Sequence, residues 1–99
     1  MSVEHRLSEV LTNKLGYYVP ISDVGYETIW LVKDEVDDQL IPKYIIEHLV
    51  DPIVADSASF TDAEGNYYLL ISVETGLPTP YEVCLVNDEI VSDFLEGVD

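Results

Sequence analysis

The chain has 99 residues, with 20 acids against 4 bases, a formal net charge of −16 and 47% hydrophobic residues. That length supports one domain, 1–99, with a modest core, and the apolar content excludes reading the charge as disorder. The charge opposes binding to nucleic acid or to anionic membranes, and its field favours a basic partner.

Residues 2–16 read as a helix. Ser2 stands at its N-terminus as a cap. Leu7, Val10, Leu11 and Leu15 recur on one face at helical spacing. Glu4 lies near the positive end of the helix dipole, Lys14 near the negative end, and Gly16 supplies the stop. A connector follows over 17–25. Residues 26–32, YETIWLV, are β-prone. Residues 33–41, KDEVDDQLI, fit about two turns of helix, with Val36 and Leu40 inward and Asp34, Asp37 and Asp38 outward. Pro42 either ends that helix or begins a second one, PKYIIEHLV.

The remainder reads as sheet. PIVADSASF, NYYLLISVE and YEVCLVN are three strands, separated by the turn DAEG at 62–65 and the loop TGLPTP at 75–80. DEIVSDFLEG, 88–97, fits a short strand or a helical turn, and periodicity does not decide between them. The expected fold is α+β: an N-terminal helix, an edge strand and an acidic helix on a small, twisted antiparallel sheet of about five strands.

The catalytic inventory is thin. His5 and His48 lack a partnered nucleophile, and Cys84 lies within an apolar strand as a small hydrophobe. Gly65 occupies the fourth position of its acidic loop, not the sixth that an EF-hand requires. There is no phosphate-cradling glycine loop and no Cys/His cluster for zinc. No enzyme activity and no cofactor are expected. The single cysteine excludes an internal disulfide and fits a reducing cytosol. The charged opening MSVEHRLSEV lacks a signal-peptide apolar region, and no run approaches the roughly 18 apolar residues of a membrane span. The expected location is cytoplasmic. What remains is an interaction protein for a basic target.

One segment narrows the target. ETIWLVKDEVDDQLI resembles the core of the phage uracil-DNA glycosylase inhibitor family. That family carries a short edge strand of the form Glu-Ser-Ile, followed by an acid-rich helix of the form acid-acid-Val-acid-acid. Glu27, Thr28 and Ile29 match the first, with Thr in place of Ser. Asp34, Glu35, Val36, Asp37 and Asp38 match the second without a gap. RLSEVL, DPIVADSASFTDAEGNYYLLIS and TPYEVCLVND resemble further family segments in order. The connector before Glu27 is longer than the family's, and PKYIIEHLV replaces a shorter polar loop.

The resemblance implies a DNA mimic that forms a 1:1 complex with uracil-DNA glycosylase and blocks its DNA-binding groove. Glu27 is then the main phosphate mimic, with Thr28 and Ile29 beside it and Glu35 and Asp38 reaching the enzyme from the helix. Leu31, Val36, Leu40, Val54, Tyr68 and Leu70 would line an apolar pocket for the side chain with which the enzyme pushes uracil out of the duplex. Without the resemblance, the acids are a solvated helix face and the apolar residues an ordinary core. Two other readings fit the acidity: a DNA-mimic inhibitor of restriction or CRISPR machinery, and an acidic cytosolic interaction domain of a salt-adapted cell. Halophilic chains, however, tend to be poorer in the large aliphatic residues that are abundant here.

Overall fold

A computed structural model describes residues 2–37, 39–49, 52–73 and 81–91. The expectations for Asp38, for the loop at 75–80 and for the chain beyond Val91 lie outside these residues. Helix α1 spans Val3–Leu15. Leu7, Val10 and Leu11 are fully buried on its inner face, as their spacing requires. Gly16 ends it with a φ of 79°, where a side chain would be strained, and returns its N–H to the Thr12 carbonyl at 3.2 Å. The Ser2 hydroxyl does not cap the helix but bonds His5 Nδ1.

Among the described residues five strands follow: β1 Gly25–Leu31, β2 Ile53–Thr61, β3 Tyr67–Val73, β4 Tyr81–Val86 and β5 Glu89–Ile90. They form one antiparallel sheet in the order β1-β2-β3-β4-β5. An N-terminal helix on a five-stranded antiparallel sheet, with a short second helix α2 at Lys43–Ile46, is the α+β architecture that the sequence implies. Within the segment 88–97, ambiguous in sequence, Glu89–Ile90 form the short strand β5. Asn87 and Asp88 make its two-residue turn with φ of 52° and 68°. Both are residues that tolerate the left-handed region which such turns demand.

The acidic segment is not two turns of helix. Lys33–Glu35 form a single 3-10 turn, and Val36 leaves helical space with a ψ of 127°. The Asp37 carboxylate accepts the Gln39 amide at 2.9 Å, a local bond that competes with helix continuation. Of the two alternatives at Pro42, the second applies: α2 begins directly after it.

The sheet is covered on both sides. On one face α1 packs with Val19 and Val24 against Ala58, Tyr68, Leu70 and Cys84. On the other, Ile41 and Leu49 of the β1–β2 connection pack against Ile53, Ala55, Ile71, Val73 and Val83. The connector after α1 is tied back by the Ser8 hydroxyl, which donates to the Val19 carbonyl at 2.5 Å. Val19 N–H in turn donates to Thr12 Oγ1 at 3.0 Å. Cys84 is wholly enclosed, and burial pushes its thiol up to about 11. It is therefore inert at neutral pH.

The β2–β3 turn is organised by Asp62. Its carboxylate accepts the Glu64 and Asn66 amides at 2.9 Å, the Asn66 side chain at 3.1 Å and the Tyr68 hydroxyl at 3.0 Å. Desolvation acts to raise its pKa. The hydrogen bonds from Asn66, Tyr68 and Glu64 outweigh that and hold it below the ordinary value of 3.8. A lowered folded-state value stabilises the fold above the unfolded pKa, and this contribution is lost as pH falls through the folded one. Asp62→Ala should therefore lower the melting temperature near neutrality, and the gap to the parent should narrow below pH 3.8. Thermal melts from pH 7 to 2 check this; a gap that stays constant across that range contradicts it.

Candidate protein-binding face on the edge strand

Among the described residues β1 pairs with β2 along one side only, so its other side is a free edge. Edge strands commonly blunt such an edge with Lys, Pro or a bulge. Here β1 pairs with β2 without interruption over all seven residues, Gly25 to Leu31, and its one charged residue is Glu27. Tyr26, Glu27, Thr28 and Trp30 are exposed.

The register assigns each side chain to a face, since alternate residues point to opposite sides. Glu27 pairs with Ser57, Ile29 with Ala55 and Leu31 with Ile53, on the face away from α1. The buried Ser57 hydroxyl donates to the Glu27 carbonyl at 3.0 Å, which fixes the backbone beneath the acid. Beside Glu27 lies a hollow of about 310 Å³, lined by Gly25, Ile29, Ser57, Ser59, Tyr67 and Leu69 among others. Gly25 stands at its end, against Ser59. A Cβ there would come within 2.9 Å of Ser59 Oγ. The hollow therefore has apolar walls in Ile29 and Leu69, two serine hydroxyls and an exposed carboxylate on its rim.

A second hollow, of about 380 Å³, lies under the acidic turn between Lys33, Asp34, Val36, Asp37, Lys43 and Ile46. Asp34, Glu35 and Asp37 are exposed around it. Lys33 is half-buried, and its ammonium donates to the Leu49 carbonyl at 3.0 Å. This anchors the turn to the body of the protein.

The expected partner contacts thus divide. Glu27, Thr28 and Ile29 lie together on the free edge, with Thr28 on the opposite face from the other two. Glu35 is exposed at the end of the 3-10 turn, not on a helix. Asp38 lies outside the described residues.

The six residues expected to line one pocket do not meet. Leu31, Val36 and Leu40 are half-buried against the core on the face away from α1. Tyr68 and Leu70 belong to the α1 core on the other face, and Leu70 is completely enclosed. Val54 pairs with Trp30 and shares the α1 side with Tyr68 and Leu70. The sheet itself stands between the two groups. The sheet residues that face the acidic turn's side are Ala55, Leu69 and Ile71, one step along from Val54, Tyr68 and Leu70. A one-residue step exchanges the faces of a strand. Sequence reasoning missed Leu69, Ser57, Ser59 and Trp30; counting in twos from Glu27 along β1 places Trp30 opposite it, but the partners on β2 and β3 require the register.

Among the described residues there is no cluster of three or more His, Cys, Asp or Glu able to hold a metal ion, and no helix is long and apolar enough to cross a membrane. No family model, curated protein or solved structure matches the chain.

Proposed function

We propose that this chain inhibits a uracil-DNA glycosylase by occupying its DNA-binding groove as a DNA mimic. The observation that carries the reading is the free edge of β1. It offers Glu27 to solvent beside the Ile29 hollow, with Asp34, Glu35 and Asp37 exposed on the turn that follows. Carboxylates spaced along an exposed rim suit a groove lined by Lys and Arg. An edge strand also lets a partner approach its backbone closely. The apolar site open to the enzyme's wedge side chain is the hollow walled by Ile29 and Leu69, in place of the six-residue pocket expected from the sequence.

The test combines the purified protein, a uracil-DNA glycosylase and a uracil-containing oligonucleotide. Excision should stop near equimolar inhibitor. Glu27→Ala should keep the fold, because the side chain is exposed. It should also weaken inhibition by at least roughly tenfold, since truncating one partner of an interfacial charge pair costs about 2–5 kcal/mol. Undiminished excision at large molar excess sinks the reading. Binding to another DNA-processing enzyme instead would move it to a DNA mimic aimed at restriction or CRISPR machinery, which shares the charge and not the wedge site.

A further inference from the structure

Tyr26, Thr28, Trp30 and Val32 recur at every second position, so they share the α1-side face at the margin of the sheet. The helix packs chiefly on β2, with less contact to β3 and β1, and Tyr26, Thr28, Trp30 and Val32 remain exposed beside it. Tyr26 is 55% exposed, Trp30 66% and Val32 49%. Large exposed aromatic groups in one row mark an interaction surface rather than scattered surface apolarity.

Asp56 stands behind this row. It pairs with Thr28 in the ladder, between Val54 opposite Trp30 and Ala58 opposite Tyr26. The Tyr26 hydroxyl donates to Asp56 Oδ1 at 2.8 Å, and the Thr28 hydroxyl lies 3.5 Å from the same oxygen. These contacts fix one side of the carboxylate. Among the described residues no base pairs with Asp56. An oriented anion thus lies between two aromatic side chains, each about 7 Å along the strand from Thr28.

We propose that this margin is a docking subsite for an arginine side chain of a basic protein partner. A guanidinium is planar and weakly hydrated. It can donate to the open oxygen of Asp56 while its face lies on the Trp30 indole, which lysine does less well. Charge complementarity selects the occupant. A second copy of this chain also carries −16 and is repelled, as is nucleic acid. The inference relies on the inhibitor reading only for the identity of the partner. Asp56 and Trp30 lie on the opposite face of β1 from Glu27, and Tyr26 also borders the hollow beside Glu27, so the partner would grip the edge strand from both sides.

Trp30 is the only tryptophan, so its fluorescence reports on this surface directly. The probe is a tryptophan-free octapeptide of alternating Arg and Thr, with its Lys–Thr counterpart of equal charge. The Arg peptide should change Trp30 emission saturably and bind at least roughly threefold tighter than the Lys peptide. Asp56→Asn, which keeps the shape and can still accept from Tyr26, should weaken the Arg peptide by about fivefold or more. Glu89→Gln, on the far edge of the sheet, removes the same charge and should change affinity less than about twofold. Equal losses for the two variants, or equal affinity for the two peptides, overturn the subsite, because net charge alone then accounts for binding. With the glycosylase, Trp30→Ala should weaken inhibition by roughly tenfold. Equal inhibition by parent and Trp30→Ala overturns the subsite and leaves the inhibitor reading intact. Peptide binding as expected without glycosylase inhibition sinks the inhibitor reading and leaves the subsite.

Discussion

Leu70→Ala should destabilise the fold by about 2–5 kcal/mol, the cost of removing a fully buried leucine and leaving a cavity. Leu70 is completely enclosed between α1 and the sheet, beside Leu7, Val10, Leu11 and Cys84. Of the residues assigned from sequence to a partner pocket, it is the clearest case of core. A domain of this size has a total stability of only about 5–15 kcal/mol, so the variant should unfold at a visibly lower urea midpoint. Leu31→Ala should cost less, because Leu31 is half-buried near the sheet margin. Urea titrations of parent, Leu70→Ala and Leu31→Ala decide the order. If Leu70→Ala unfolds with the parent while glycosylase binding is lost, Leu70 faces a partner after all and its placement under α1 is wrong.

Association with the proposed glycosylase should slow by one to two decades as salt rises from about 10 to 100 mM, where the Debye length falls from roughly 30 to 10 Å. Dissociation should change much less. The reason lies in the distribution of charge as well as its total. Asp23, Glu27, Asp34, Glu35 and Asp37 are all exposed along one stretch of chain, while its lysine, Lys33, is half-buried against the Leu49 carbonyl. A predominantly negative field at the docking edge, where Lys43 is the exposed base beside the turn, steers a basic groove toward it before contact. Stopped-flow association rates that remain flat over this range would remove steering as a mechanism. The Ile29 hollow and the Trp30 margin would then be the features that bring partner and protein together.

Several elements were legible because local rules suffice for them. The face of α1 follows from the spacing of Leu7, Val10 and Leu11, and its end from Gly16. β2, β3 and β4 follow from runs of β-branched and aromatic residues between turn signals. The acidic turn was misread because helix periodicity over nine residues is a weak signal. The chain leaves helical space already at Val36, and the Gln39 amide then donates to the Asp37 carboxylate in a local bond that competes with helix.

The faces of the sheet were the largest gap. Tyr68 and Leu70, two apart, do share a face as the sequence implies, but which face was undetermined. Both sides of β3 are buried, by α1 on one and by the β1–β2 connection on the other, so polarity alternates too little to tell them apart. By itself, then, the sequence determined the excess of acid, the helix, the strands and Glu27 beside Ile29, since each depends on residue type and near neighbours. Only the tertiary structure decided that the expected pocket is split by the sheet and that Trp30 and Asp56 share one face at its margin. Both depend on the pairing of β1 with β2 across more than twenty intervening residues, and hydrogen-bond register is a property of two strands, not of either one.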